Sequence, residues 1–170
     1  MEHNIADWAN FRAGRFFLPF GYWYPRHWPF LTETVSRPFS YDNEFAPRFQ
    51  VGLQGFGSIF VGAARLTYNG WLTSGPDDVA TDKRTVDKPG YGGGLVIERP
   101  LLRPNWSVSA TFAFHGQTIK SGDNEEAQRS VVGGLEAKLG KLELRSEYYR
   151  HFLEGDKERF TVYGKLDIGA

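Results

Sequence analysis

The sequence predicts an all-β fold, an antiparallel membrane-spanning β-barrel of about eight strands. Three observations carry this expectation. From residue 48 onward, apolar and polar residues alternate with a period of two. The connections between the alternating segments are short and long by turns, which puts all the short ones at one end of the sheet. One face of the alternation is almost free of charge over about 9 to 11 residues per strand, enough to cross a bilayer core.

A first strand is expected near residues 8 to 18. In "RFQVGLQG", Phe49, Val51 and Leu53 share one face, and Arg48, Gln50 and Gln54 the other. "GFGS" then reads as a tight turn near residue 56. "IFVGAARLTYN" alternates as the next strand, with Arg65 on its polar side. Residues 70 to 90 read as a long polar loop, and "YGGGLVIERP" as a strand weakened by glycines before the turn "PLLRPN". "WSVSATFAFHGQ" is the clearest strand: Trp106, Val108, Ala110, Phe112 and Phe114 face away from Ser107, Ser109, Thr111, Ala113 and His115. A second polar loop is expected at 117 to 128. "SVVGGLEAKLGKLELRSEYYRHF" reads as a hairpin about Gly140, "LEGDKE" as another turn, and "RFTVYGKLDIGA" as the last strand. Tyr68, Trp71, Tyr91, Phe114, Phe152 and Phe160 fall where strands meet the long connections, and Trp106 at the short-turn end. This is the pattern of two interfacial aromatic girdles.

Composition narrows the function classes. The 170 residues make one domain, residues 1–170, and carry 20 acidic and 20 basic side chains, so a general polyanion binder is not expected and no nucleic-acid partner is implied. Cysteine is absent, which removes disulfides, thiolate metal sites and thiol nucleophiles. No apolar run approaches the roughly 20 residues of a transmembrane helix, a test to which barrel strands are blind. "MEHNIADWANF" lacks the basic start and apolar core of a signal peptide, so an exported form is expected to be a mature chain, a trimmed chain or a fragment. The competing reading is a soluble β-sandwich or lipocalin-like binding domain, in which the same alternation points its apolar face inward.

The segment "RAGRFFLPFGYWYPRHWPFLTETVSRP" fits neither a helix nor a buried strand, because its prolines break both. "FRAGRFFLPFGYW", "HWPFLTETVSRPF" and "LELRSEYYRHF" resemble the bacterial phosphate-selective porins and related porin-like outer-membrane proteins. The resemblance covers about the first 40 residues in motif and the rest in pattern. It implies a barrel of about sixteen strands, of which this chain looks like the C-terminal half; otherwise the chain closes alone as a small barrel. It also implies a bacterial outer-membrane location and passive passage of small hydrophilic solutes, anions among them. Outer-membrane lipid and those solutes are the expected partners, a homo-oligomer such as a trimer fits, and no cofactor is implied. A small closed outer-membrane barrel with a structural, binding or lipid-modifying role is the alternative.

Under the barrel reading, Arg65, Glu136, Lys138, Glu143, Arg145, Glu147, Lys165 and Asp167 line the lumen. Opposite charges on neighbouring strands tune solute selectivity, or simply satisfy one another. Their mixed sign does not specify phosphate. Arg15, Arg26, His27 and Arg37 are candidates for a pore-mouth constriction, with the aromatic loop at about 19–47 folding into the lumen. Asp77, Asp78 and Asp82, and Asp123, Asn124 and Glu125, offer hard oxygens without calcium-loop spacing. Among catalytic sets, His115 with Ser121, and His151, lie near the long-loop ends, but no nucleophile elbow or well-spaced carboxylate accompanies them, and no enzyme is expected. The four histidines show no metal spacing. "PGYGGG" leads into a strand and is not a phosphate loop.

Overall fold

A computed structural model describes residues 2–21, 49–76, 85–103, 105–121, 124–153 and 157–168. It forms one antiparallel sheet of nine strands in sequence order: β1 (Glu2–Ala6), β2 (Ala9–Phe17), β3 (Phe49–Val61), β4 (Ala64–Pro76), β5 (Thr85–Pro100), β6 (Trp106–Ser121), β7 (Asn124–Leu139), β8 (Leu142–Leu153) and β9 (Lys157–Ile168). The edges are β1 and β9, and no pairing joins them among the described residues.

The sheet departs from the sequence reading in four places. A ninth strand, β1, pairs with β2 through a turn at Asp7–Trp8. "GFGS" is not a turn: β3 runs through it, with Gly55 opposite Gly70, Phe56 opposite Asn69 and Gly57 opposite Tyr68. The real turn is Gly62–Ala63, where Gly62 takes φ +60°. Gly57 serves close approach instead, since a Cβ there would collide with the Trp8 carbonyl. The polar stretch 70–90 is mostly strand, with β4 reaching Pro76 and β5 starting at Thr85. So is 117–128: β6 and β7 stay paired out to Ser121 and Asn124. The short connections at 7–8, 62–63, 101–105 and 140–141 do share one end of the sheet. At the other end the connections 18–48 and 77–84 are long, while 122–123 and 154–156 are only two and three residues, so the contrast between the ends is weaker than expected.

Strand phase separates two faces. On the outer face Leu53, Leu72, Leu95, Ile97, Phe112, Leu135 and Leu144 are exposed. On the inner face Gln50, Gln54, Thr73, Thr111, His115, Gln117, Gln128, Ser130, Glu136, Glu147 and His151 are buried. The buried apolar side chains are few: Phe16, Leu18, Phe20, Trp71, Ala113, Val132 and Tyr149.

The sheet is strongly curled. Flat, β2 and β8 would lie roughly 29 Å apart, six inter-strand spacings. Leu18 to Phe20 extend only about 10 Å past the end of β2. Yet the Phe20 ring sits 6.1 Å from that of Tyr149 on β8. The two halves of the sheet therefore face each other across this segment, which buries Leu18 and Phe20 completely.

Candidate functional site on the inner face

Register sorts the inner face into transverse rungs. One is charged. Arg65 lies opposite Glu98, Glu98 opposite Ser109, Ser109 opposite Glu136, Glu136 opposite Arg145, and Arg145 opposite Lys165. The next rung toward the short-turn end aligns Lys138, Glu143 and Asp167. The alternation brings seven of the eight lumen candidates onto two adjacent rungs. Glu147 lies one rung away, toward the long connections, and is buried.

Four of these side chains pair directly. Arg145 Nε donates to Glu136 Oε2 at 2.8 Å, and Lys138 Nζ lies 3.2 Å from Glu136 Oε1. Arg145 Nη2 also pairs with Glu143. Glu136 and Arg145 are largely withdrawn from solvent, so each depends on the other for its charge to be tolerated. Arg65 stands at the rim, exposed, and donates to Ser58 Oγ at 3.3 Å. The backbones of Lys165 and Asp167 hold these register positions; their side chains lie outside the described part.

A second rung crosses the sheet nearer the long connections, uncharged from Gln54 to His151, with Arg12 and Arg159 at the register positions beyond its two ends. Gln54, Trp71, Gly92, His115, Ser130 and His151 are successive cross-strand partners. Trp71 bridges β4 to β6 over Gly92, where a Cβ would sit 2.5 Å from the indole. Its Nε1 donates to His115 Nδ1 at 3.1 Å. An indole nitrogen only donates, so His115 is a neutral imidazole with its proton on Nε2. That proton faces Gln117 Oε1 at 3.3 Å, and the Gln117 amide donates to Gln128 Oε1 at 3.2 Å. Ser130 Oγ and His151 Nδ1 lie 2.6 Å apart. By contrast, both amide atoms of Gln50, with Gln54 Oε1 and Thr73 Oγ1, are buried without a hydrogen-bond partner among the described residues. Polar groups left in this way are suited to water or a hydrophilic solute.

The chain matches no family model, no curated protein and no solved structure.

Several sequence expectations need adjusting. Trp71, expected in an interfacial girdle, is buried on the inner face, because its strand phase is that of Gln54 and His115. Tyr91, Phe114 and Phe152 do stand on the outer face, at the long-connection end. The Ser121 side chain lies outside the described part; among the described residues Ser130 pairs with His151, on strands directly bonded to each other. Such a pair is part of an acyl-transfer set. Glu147, the carboxylate on the same face of β8, is four positions away from His151, about 13 Å along the strand. Arg15 is exposed at the end of β2. Arg26, His27 and Arg37 lie outside the described residues, as do Asp77, Asp78, Asp82 and Asp123; Asn124 and Glu125 begin β7. Among the described residues no three His, Cys, Asp or Glu side chains cluster as metal ligands. The sequence reading missed Glu98 and the His–Gln–Gln chain. Their strand phase was readable, but their alignment needs the register.

Proposed function

We propose that this sheet forms the wall of a porin-like barrel in a bacterial outer membrane. Small hydrophilic solutes pass along its inner face, and Leu18–Gly21 begins a loop that narrows the passage. No covalent chemistry is required. The supporting observation is the inverted polarity of the sheet. Phe112 and Leu135 are 53% and 63% exposed, while Glu147 and Gln50 are 2% and 0% exposed. In water this arrangement leaves apolar side chains wet while polar ones are withdrawn from solvent. In a bilayer the outer face meets acyl chains, and the inner face keeps its polar groups together.

Dimensions agree. On β6 the outward residues Trp106, Val108, Ala110, Phe112 and Phe114 are all apolar. They span roughly 26 Å along the strand, close to the apolar band of membrane barrels. Arg103 stacks on Trp106 at one end of that band, and Arg150 on Phe152 at the other.

Lipid does not tolerate an unpaired strand edge. β1 has five residues, too few to cross. The longer strands β2 to β9 make an even set whose first and last members run antiparallel, the condition for closing a barrel. Closure within one chain or pairing with further strands would satisfy the remaining edge.

The test is reconstitution. Detergent-refolded chain is expected to shift its gel mobility on boiling and to give discrete conductance steps in planar bilayers. A monodisperse monomer in detergent-free buffer, with silent bilayers, would refute the proposal.

A further inference from the structure

The outer face carries a groove of about 350 Å³ at the long-connection end of the apolar band. Four aligned residues set its frame: Tyr91, Gly116, Arg129 and Phe152 are successive cross-strand partners on β5 to β8. The Tyr91 ring lies over Gly116, where a Cβ would come within 2.9 Å of it, and forms one wall. Phe152 forms the other, with the Arg150 guanidinium 4.8 Å above its ring. Between the walls stands Arg129. It is exposed, and among the described residues no acidic side chain pairs with it.

Below Arg129 the same face of β7 continues through Val131, Gly133 and Leu135. Gly133 lies between Phe112 and Tyr148 in the register, and both rings are exposed. A Cβ built on Gly133 meets nothing within 4 Å. The missing side chain leaves a gap between two aromatic rings in the middle of the apolar band, two residues beyond Val131, which itself lines the groove beside the arginine. Cation above and greasy gap below match an amphiphile with an anionic head.

We propose that this groove binds one molecule of an anionic, phosphate-bearing lipid of the surrounding membrane. The phosphate sits on Arg129, flanked by Arg150, and an acyl chain lies in the Gly133 gap. The proposal rests on the membrane-barrel reading and adds a specific site to it. Arginine suits the role because its planar donors take two phosphate oxygens at once.

The experiment uses the full chain refolded in a neutral detergent, with phosphatidylglycerol or phosphatidylcholine titrated in and bound lipid counted by native mass spectrometry. One phosphatidylglycerol is expected to be retained at least fivefold better than phosphatidylcholine. Arg129→Gln and Gly133→Leu are each expected to abolish the preference, Arg129→Lys to keep part of it, and Arg103→Gln, at the opposite end of the band, to leave it unchanged. Glycerol phosphate, which has the head without the chain, is not expected to compete at equal concentration; if it does, the gap has no part and the lipid assignment falls. Equal retention of the two lipids by a chain that still shifts its mobility on boiling overturns the site and leaves the barrel standing. Failure of the chain to enter micelles or vesicles overturns both.

Discussion

Phe20, three residues past the end of β2, packs against Tyr149 in the middle of β8, with ring centroids 6.1 Å apart at 50°. The contact ties opposite halves of the sheet across its concave side. Gly21 follows with φ +75°, and a Cβ there would stand 2.7 Å from Glu147 Oε1 and from the Tyr149 hydroxyl. The chain thus enters the interior through a conformation and a space that favour glycine. It lies between the charged rungs and the His115 rung on the inner face.

Phe20→Ala removes the ring that fills this level. Single-channel conductance is expected to rise, because water replaces an aromatic side chain beside Glu147. Thermal stability in detergent should fall, the loss of a buried Phe costing about 3 to 5 kcal/mol where the site does not collapse. The measurement is paired conductance and unfolding of wild type and variant. Lower stability with unchanged conductance would mean that the segment is a brace and not a constriction.

Trp71 and Gly92 make the second prediction. The indole reaches His115 only because Gly92 has no side chain under it. Gly92→Val is expected to drive the indole off His115 and to lower refolding yield sharply. Trp71→Phe keeps most of the volume but leaves His115 Nδ1 without its donor, at about 1 to 3 kcal/mol for a buried group left unpaired. Unfolding of the two variants by boiling in detergent, followed by gel mobility, checks both. A Gly92→Val variant as stable as wild type would show that the bridge carries no weight.

Strand phase could be read from alternation alone: Phe112 and Phe114 fall on one face, Thr111 and His115 on the other, as in the sheet. Glycine was harder, because one residue type serves turns and close approaches alike. Gly140, with φ +69°, is a turn as its sequence suggests. Gly57 looks the same in sequence, yet serves the approach of Trp8. The stretch 117–128 reads as loop because both of its faces are polar, so no alternation marks it, although its backbone pairs out to Ser121 and Asn124. The charged candidates were legible as a band. Their alignment into rungs was not, since register depends on turn positions and the turn near residue 62 was misplaced to 56.

The charged rungs give the third prediction. Arg145 holds Glu136 and Glu143 together on the inner face. Arg145→Gln leaves Glu136 with Lys138 as its cation and takes the guanidinium from Glu143. Loss of one partner from a buried pair costs about 3 to 5 kcal/mol, whereas Glu136→Gln combined with Arg145→Gln should cost less than the sum of the singles. If solute ions pass this point, the reversal potential across a potassium chloride gradient should move toward cation preference in Arg145→Gln. An unmoved reversal potential in a barrel that still conducts would assign the pairs to wall cohesion alone.

Ser130 and His151 provide the last test, and it separates a wall from a catalyst. Their 2.6 Å contact is the kind of pairing that activates a serine nucleophile. Both residues are buried with the strand phase of the inner face, and Ser130 also borders the outer groove. Glu147 is too far along β8 to orient the imidazole. The pair is therefore expected to act as a cross-strand clasp between β7 and β8. Ser130→Ala should lower stability by about 1 to 2 kcal/mol, as for a lost buried hydrogen bond, and leave conductance within the wild-type range. Wild-type protein incubated with phospholipid vesicles or a short-chain nitrophenyl ester should release no more product than the Ser130→Ala variant. Ester cleavage that disappears in both Ser130→Ala and His151→Ala, each folded by the boiling test, would overturn the clasp and make this an enzyme.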